Sequence, residues 1–174
     1  TGEGIDPLTV AEMREALRLS RTRLVTLSAC ETGLTEVRRG LADEYIGLPG
    51  ILLQAGARAV VASLWAVDDL ATALLMWKFY QEWGRGAVSI AEALRRAQKW
   101  LRTRNCEQVK DALEELNQLW EPWRQSDADP AMQQRAIEQY WEIRRARQRL
   151  DAMDDPPFAH PYWWAGFQAV GDVL

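Results

Sequence analysis

Two short apolar runs and a set of helical repeats divide the chain. Leu24–Ser28 and Arg58–Trp65 are compact, rich in β-branched residues and apolar on alternate and adjacent positions alike, the pattern of strands covered on both faces. Around them the apolar spacing is helical. Thr9 and Glu12 have capping-box spacing ahead of Val10, Met13, Ala16 and Leu17. Apolar positions resume at Leu41 and run to Leu53, with Pro49-Gly50 inside, which predicts either a kink or a helix start at Pro49. Leu70–Trp83 is apolar nearly all round and predicts a helix buried on more than one side. Ser89 and Glu92 have the spacing of a second capping box, opening a helix through Ala93, Leu94, Ala97 and Leu101.

Residues 103–155 differ in composition. Val109, Leu113, Leu116 and Trp120 mark one amphipathic helix that Pro122 is expected to end, and Ile137, Tyr140 and Trp141 mark a second. Together they read as a helical hairpin inserted into an α/β core. The basic tract Arg144–Arg149 is interleaved with Glu138, Glu142 and Asp151, so it reads as a solvated, ion-paired face and not a nucleic-acid grip. After Asp154-Asp155-Pro156-Pro157, a last strand is expected over Trp163–Val170.

Bulk properties narrow the classes. The 174 residues are 48% hydrophobic and 26% charged with a net charge of −4, as in a globular domain without whole-chain attraction for nucleic acid or an anionic membrane. Two cysteines make no disulfide framework, and no signal peptide or long apolar span is seen, so a cytoplasmic setting is expected. The absence of an initiating methionine suggests an excerpt or a processed product. Neither a P-loop nor a dinucleotide fingerprint is present.

Candidate chemistry gathers just past the two strand-like runs. Cys30 follows the first, in Ser28-Ala29-Cys30-Glu31-Thr32-Gly33, at the place where open α/β sheets put ligands and reactive groups. The residues alone favour a packed cysteine, since a nucleophilic thiol needs a base that this stretch does not supply. Asp68 and Asp69 follow the second run. Their position suits a helix cap, a cation pocket or a metal site, and the cap has the best claim because a long helix starts there. No other ligand cluster accompanies them, so no metal site is expected.

Three stretches, in order, resemble the CHAT domain, a caspase-like cysteine peptidase family associated with tetratricopeptide repeats. They are Leu27–Gly33 around Cys30, Ala55–Trp65 with Val67-Asp68-Asp69, and His160–Phe167. The resemblance implies a caspase-like α/β fold, a three-layer sandwich with a mostly parallel sheet, represented over 1–174 by its C-terminal part, with 103–155 as a helical insertion. It implies a cysteine endopeptidase of intracellular regulation or defence, with Cys30 as nucleophile and no cofactor. Asp68 and Asp69 would line a substrate pocket. The partners implied are a protein or peptide substrate and an upstream repeat region or N-terminal half, with no nucleic acid and no membrane. The family's catalytic histidine lies upstream of the cysteine strand, where this chain has none; His160, the sole histidine, falls in a structural motif. The chain alone is therefore expected to be inactive. The alternatives are a caspase-like scaffold without catalysis, and an unrelated α/β binding domain.

Overall fold

The computed structural model describes residues 12, 15–27, 42–84, 86, 88–126 and 129–174. Cys30 and Thr9, the first residue of the expected capping box, lie outside the described residues. The elements are strand β1 (Leu24–Leu27), helix α1 (Ala42–Gln54), strand β2 (Ala59–Ser63), helices α2 (Asp69–Gly84), α3 (Ile90–Thr103), α4 (Cys106–Arg124) and α5 (Pro130–Leu150), a 3₁₀ turn at Pro161–Trp163, and strand β3 (Phe167–Gly171).

β2 is the centre of a three-stranded sheet of order β1-β2-β3, and all five of its residues are buried. It pairs with β1 in parallel, from Leu24↔Ala59 to Leu27↔Ala62, as the two apolar runs predict. Its pairing with β3 is antiparallel, from Ala59↔Gly171 to Ser63↔Phe167. The described sheet thus has one parallel and one antiparallel pairing, where a mostly parallel sheet was expected. The final strand is also shorter than its apolar run, because Pro161 opens a 3₁₀ turn that takes up Tyr162 and Trp163. At its far end a Cβ on Gly171 (φ +98°) would lie 2.5 Å from the Arg58 carbonyl, so only glycine fits.

Both sheet faces are covered, as alternation along β2 requires. Val60 and Ala62 pack with Leu52 of α1 and, more loosely, with Val25, Leu27 and Val170. Ala59 and Val61 face the larger core, which α2 enters with Ala71, Leu74, Leu75 and Phe79 and α3 with Ala93, Leu94, Ala97 and Leu101. The near-uniform apolarity of α2 reflects two neighbours. One face meets the sheet, and Trp77 packs edge-on against Trp100 of α3 at 5.7 Å between ring centroids. α1 starts at Ala42 and runs through Pro49, so a helix start at Pro49 is excluded.

The expected helical hairpin is present as α4 packed on α5. Asn105 and Gln108 form a full capping box for α4, and Asp129 caps α5 ahead of Pro130. Pro122 does not end α4; it sits in the last turn, where Gln118, the residue whose carbonyl it leaves without a helical donor, is exposed to water. The face of α5 also departs from expectation. Ala136, Ile143, Ala146 and Leu150 are buried, whereas Ile137 is 38% and Trp141 53% exposed. The two alanines let the helices approach closely, and closeness selects the seam over side-chain size. At α3, Ser89 accepts from the Glu92 backbone N–H, but the Glu92 carboxylate turns to Arg95 and Arg96, so the box is half formed.

Candidate functional site

The parallel pairing brings the carboxyl ends of β1 and β2 to one sheet edge. Cys30 follows Leu27 by three residues in the sequence and lies outside the described residues, so the structure carries no geometry for it. What is described is the β2 side of that edge. Leu64 donates its backbone N–H to the Gly166 carbonyl at 2.7 Å, continuing the contact with the segment before β3. Trp65 Nε1 donates to the Tyr162 carbonyl at 3.2 Å, and the Tyr162 hydroxyl donates back to the Ala66 carbonyl at 3.0 Å. Gly166 lies against the Trp65 ring; a Cβ there would stand 3.0 Å from Cε2. The second and third sequence motifs are therefore one interlocked unit at the exit of β2.

His160 belongs to this unit as a cap. Its Nδ1 accepts from the Tyr162 backbone N–H at 3.2 Å, holding the first turn of Pro161–Trp163. The ring is exposed and takes the structural part that the resemblance implies.

Asp68 and Asp69 separate in role. Asp68 Oδ1 accepts from the backbone N–H groups of Leu70 at 3.0 Å and Ala71 at 3.1 Å, so it is the N-cap of α2. Its Oδ2 meets Arg149 Nη2 of α5 at 3.2 Å. Asp69 is exposed at the first position of α2, where the helix N-terminus favours negative charge. Of the two carboxylates, Asp69 is the one left open to a ligand.

Arg149 also shows where the basic tract finds its partners. It pairs with Asp68, and Arg147 pairs with Glu114 of α4 at 2.9 Å, whereas Glu138 and Glu142 accept from Gln134 and Gln139. Asp151 pairs with Lys110. The ion-paired face expected of α5 exists, but the arginines pair across elements and not with their sequence neighbours. Arg144 instead lies over the rings of Tyr140 and Trp141, 5.8 Å from each centroid.

Sequence reading missed two features at this end of the molecule. The hydroxyls of Ser63, itself 2% exposed, and Thr72 are buried without a hydrogen-bond partner. Ser63 was visible as the one polar residue of β2, and Thr72 as a lone hydroxyl in the apolar first half of α2. The second feature is a groove of about 420 Å³ between the start of α2 and the hairpin. Leu70, Leu113, Leu116 and Ile143 line it, with Ala73 and Trp120 on its walls. Asp69, Glu142, Arg145 and Arg149 supply its charges.

Cys106, at the first turn of α4, is partly buried, and its backbone N–H donates to Asp155 Oδ1 at 2.9 Å. Burial first, and the Asp155 carboxylate second, push its thiol pKa up, the opposite of an activated nucleophile. Among the described residues no group of three His, Cys, Asp and Glu side chains could hold a metal ion. None of the described helices is long and apolar enough to cross a membrane.

A family model described as the CHAT domain matches residues 2–172, nearly the whole chain. The chain belongs to the CHAT domain family. The match spans all three motifs and the helical hairpin between the second and the third. The family is related to caspase-like peptidases. No curated protein and no solved structure matches this CHAT domain.

Proposed function

We propose that this chain carries the nucleophile half of a caspase-like cysteine endopeptidase, acting on a protein or peptide substrate. The CHAT match and the parallel β1–β2 pairing support the reading together: the strand leading to Cys30 and the strand leading to Asp69 finish at one sheet edge. In this reading the Cys30 thiolate attacks the scissile carbonyl and the C–N bond breaks as the amine takes a proton from the base. Water then hydrolyses the thioester and restores the thiol. The backbone N–H of Cys30 is the proposed oxyanion donor, a contact worth about 2.7–4 kcal/mol in a peptidase. The base is a histidine supplied from upstream of this segment, as the family pattern implies, in the N-terminal half of the domain that would follow a repeat region. A cytoplasmic, regulatory or defence setting belongs to the same proposal.

Asp69 is the proposed reader of a basic side chain before the scissile bond. A carboxylate gives arginine two charge-assisted hydrogen bonds and lysine a point charge, so arginine is preferred. Asp68 supports the same edge as a cap.

A second reading, a scaffold without catalysis, is favoured by one observation: the sole histidine of the chain is engaged as a cap. Joining the chain to its upstream half and assaying peptide libraries separates the two. Cleavage abolished by Cys30→Ala supports the peptidase. Cleavage that survives Cys30→Ala overturns Cys30 as the nucleophile, and no cleavage by the joined protein favours the scaffold.

A further inference from the structure

The hairpin builds a concave surface where α2 alone has a convex one. The groove between them, about 420 Å³, lies within the roughly 300–1,000 Å³ range of ligand sites and shares their make-up of apolar walls with a few polar groups. Its charges are not equivalent. Arg149 is held by Asp68, and Glu142 accepts from Gln139 Nε2 at 2.9 Å. Asp69 and Arg145, both exposed, have no ion partner among the described residues. They stand on different helices, α2 and α5, with the apolar lining contributed by α2, α4 and α5.

We propose that this groove extends the substrate site beyond the scissile residue, taking a bulky apolar side chain next to the basic residue that Asp69 reads and an acidic residue toward Arg145. The inference rests on the peptidase reading for the occupant being a substrate. Leu113, Leu116, Ile143 and Trp120 offer an apolar side chain a dry floor and an aromatic wall. Unpaired charges of opposite sign suit a chain segment that itself carries both signs, and they orient it. Two acidic and two basic side chains leave the groove without net charge, so it offers an anionic lipid surface or a nucleic acid no net attraction, and a peptide carrying both signs is the matching chemistry. The Asp68–Arg149 contact fixes one end of the hairpin to the cap of α2, so the groove runs directly from Asp69, the carboxylate proposed to read the scissile residue.

The test uses the 174-residue chain carrying Cys30→Ala, so that binding is read without cleavage. Fluorescent peptides place Leu or Phe between Arg and Glu, and anisotropy reports saturation. Ala73 is exposed on the groove wall, and Ala73→Trp fills the space without removing a core contact. It should weaken binding at least about tenfold, the scale of losing one well-buried side chain. Arg145→Glu should weaken binding too, and a peptide with Lys in place of its Glu should restore it. Trp120→Ala, checked by thermal melting, supplies an independent variant. Absence of saturable binding by the whole peptide set overturns the extended site, as does Ala73→Trp binding like the parent chain. Failure of the peptidase reading looks different: the peptides bind through the groove, yet the joined protein does not cleave.

Discussion

Asp68 Oδ2 and Arg149 Nη2 meet at 3.2 Å across 81 residues of sequence, tying the cap of one core helix to the last turn of the helical hairpin. The same carboxylate holds two backbone N–H groups of α2 through its other oxygen. The contact with Arg149 is partly exposed, with the two side chains at 21% and 57%, so the cap should dominate its contribution to stability.

Asp68→Ala should therefore destabilise the fold by about 0.5–2 kcal/mol, the usual scale of losing an N-cap, whereas Asp68→Asn should retain most of it. Arg149→Ala should fall within ~1 kcal/mol. Urea denaturation of the three variants checks the order. Equal losses for Asp68→Ala and Arg149→Ala would show that the cross-element pair, and not the cap, holds this corner.

The seam of the hairpin yields a contrast between apolar residues of one helix. Leu150 is 1% exposed and packs in the main core, so Leu150→Ala should lose about 2–5 kcal/mol. Trp141→Ala, at a half-exposed position, should stay within roughly 1 kcal/mol despite removing a larger side chain. Thermal unfolding with matched baselines distinguishes them, and comparable losses would contradict the packing described.

Glu92 responds to acid. Hydrogen bonds from Arg95 and then Arg96 hold its pKa at about 2, below the ordinary 4.5. A carboxylate lowered on folding stabilises above its unfolded pKa, and that stability is lost as pH falls from about 4.5 through 2. An NMR titration of the Glu92 side chain should show a midpoint near 2. In Glu92→Gln the acid limb of stability against pH should be shallower. A midpoint near 4.5 would mean that the two arginines do not engage it in solution.

Cys106 should react slowly. Its raised thiol pKa reduces the thiolate fraction at pH 8, so alkylation by iodoacetamide should lag behind a free-cysteine peptide at that pH. Faster reaction than the peptide would show that burial beside Asp155 does not govern this thiol.

Much of this architecture was legible because local chemistry and tertiary demand agree. Val60 and Val61 are apolar on both faces because β2 is covered on both faces, and Asp68 precedes a helix it can cap. The hairpin was legible on α4, where Val109 and Leu113 are the buried residues at their spacing. On α5 the same logic picks Ile137 and Trp141, while the seam follows Ala136, Ile143, Ala146 and Leu150. Periodicity identifies an apolar stripe but not which of two stripes a neighbour can approach. The partners of Arg147 and Arg149 were illegible for a related reason, since sequence shows neighbouring acids and the fold brings distant ones. The groove needed both: Trp120 stands out as an apolar position, but only the docking of the hairpin beside Asp69 makes it a wall.

The pairing of Ser63 with Phe167 spans about a hundred residues, and this sets the timing of assembly. While β2 is being made, only its β1 edge can be satisfied; the other waits for a strand not yet translated. At about 5–20 residues per second, that edge stays open for on the order of ten seconds. Ala59–Ser63 is then an apolar strand with bare amide and carbonyl groups, a template for any neighbouring chain. The hairpin occupies part of the wait, and its contacts are local, so it can form first and shield the nascent core. A chain halted before Phe167 keeps the template exposed, and in a crowded ribosome queue its natural fate is aggregation.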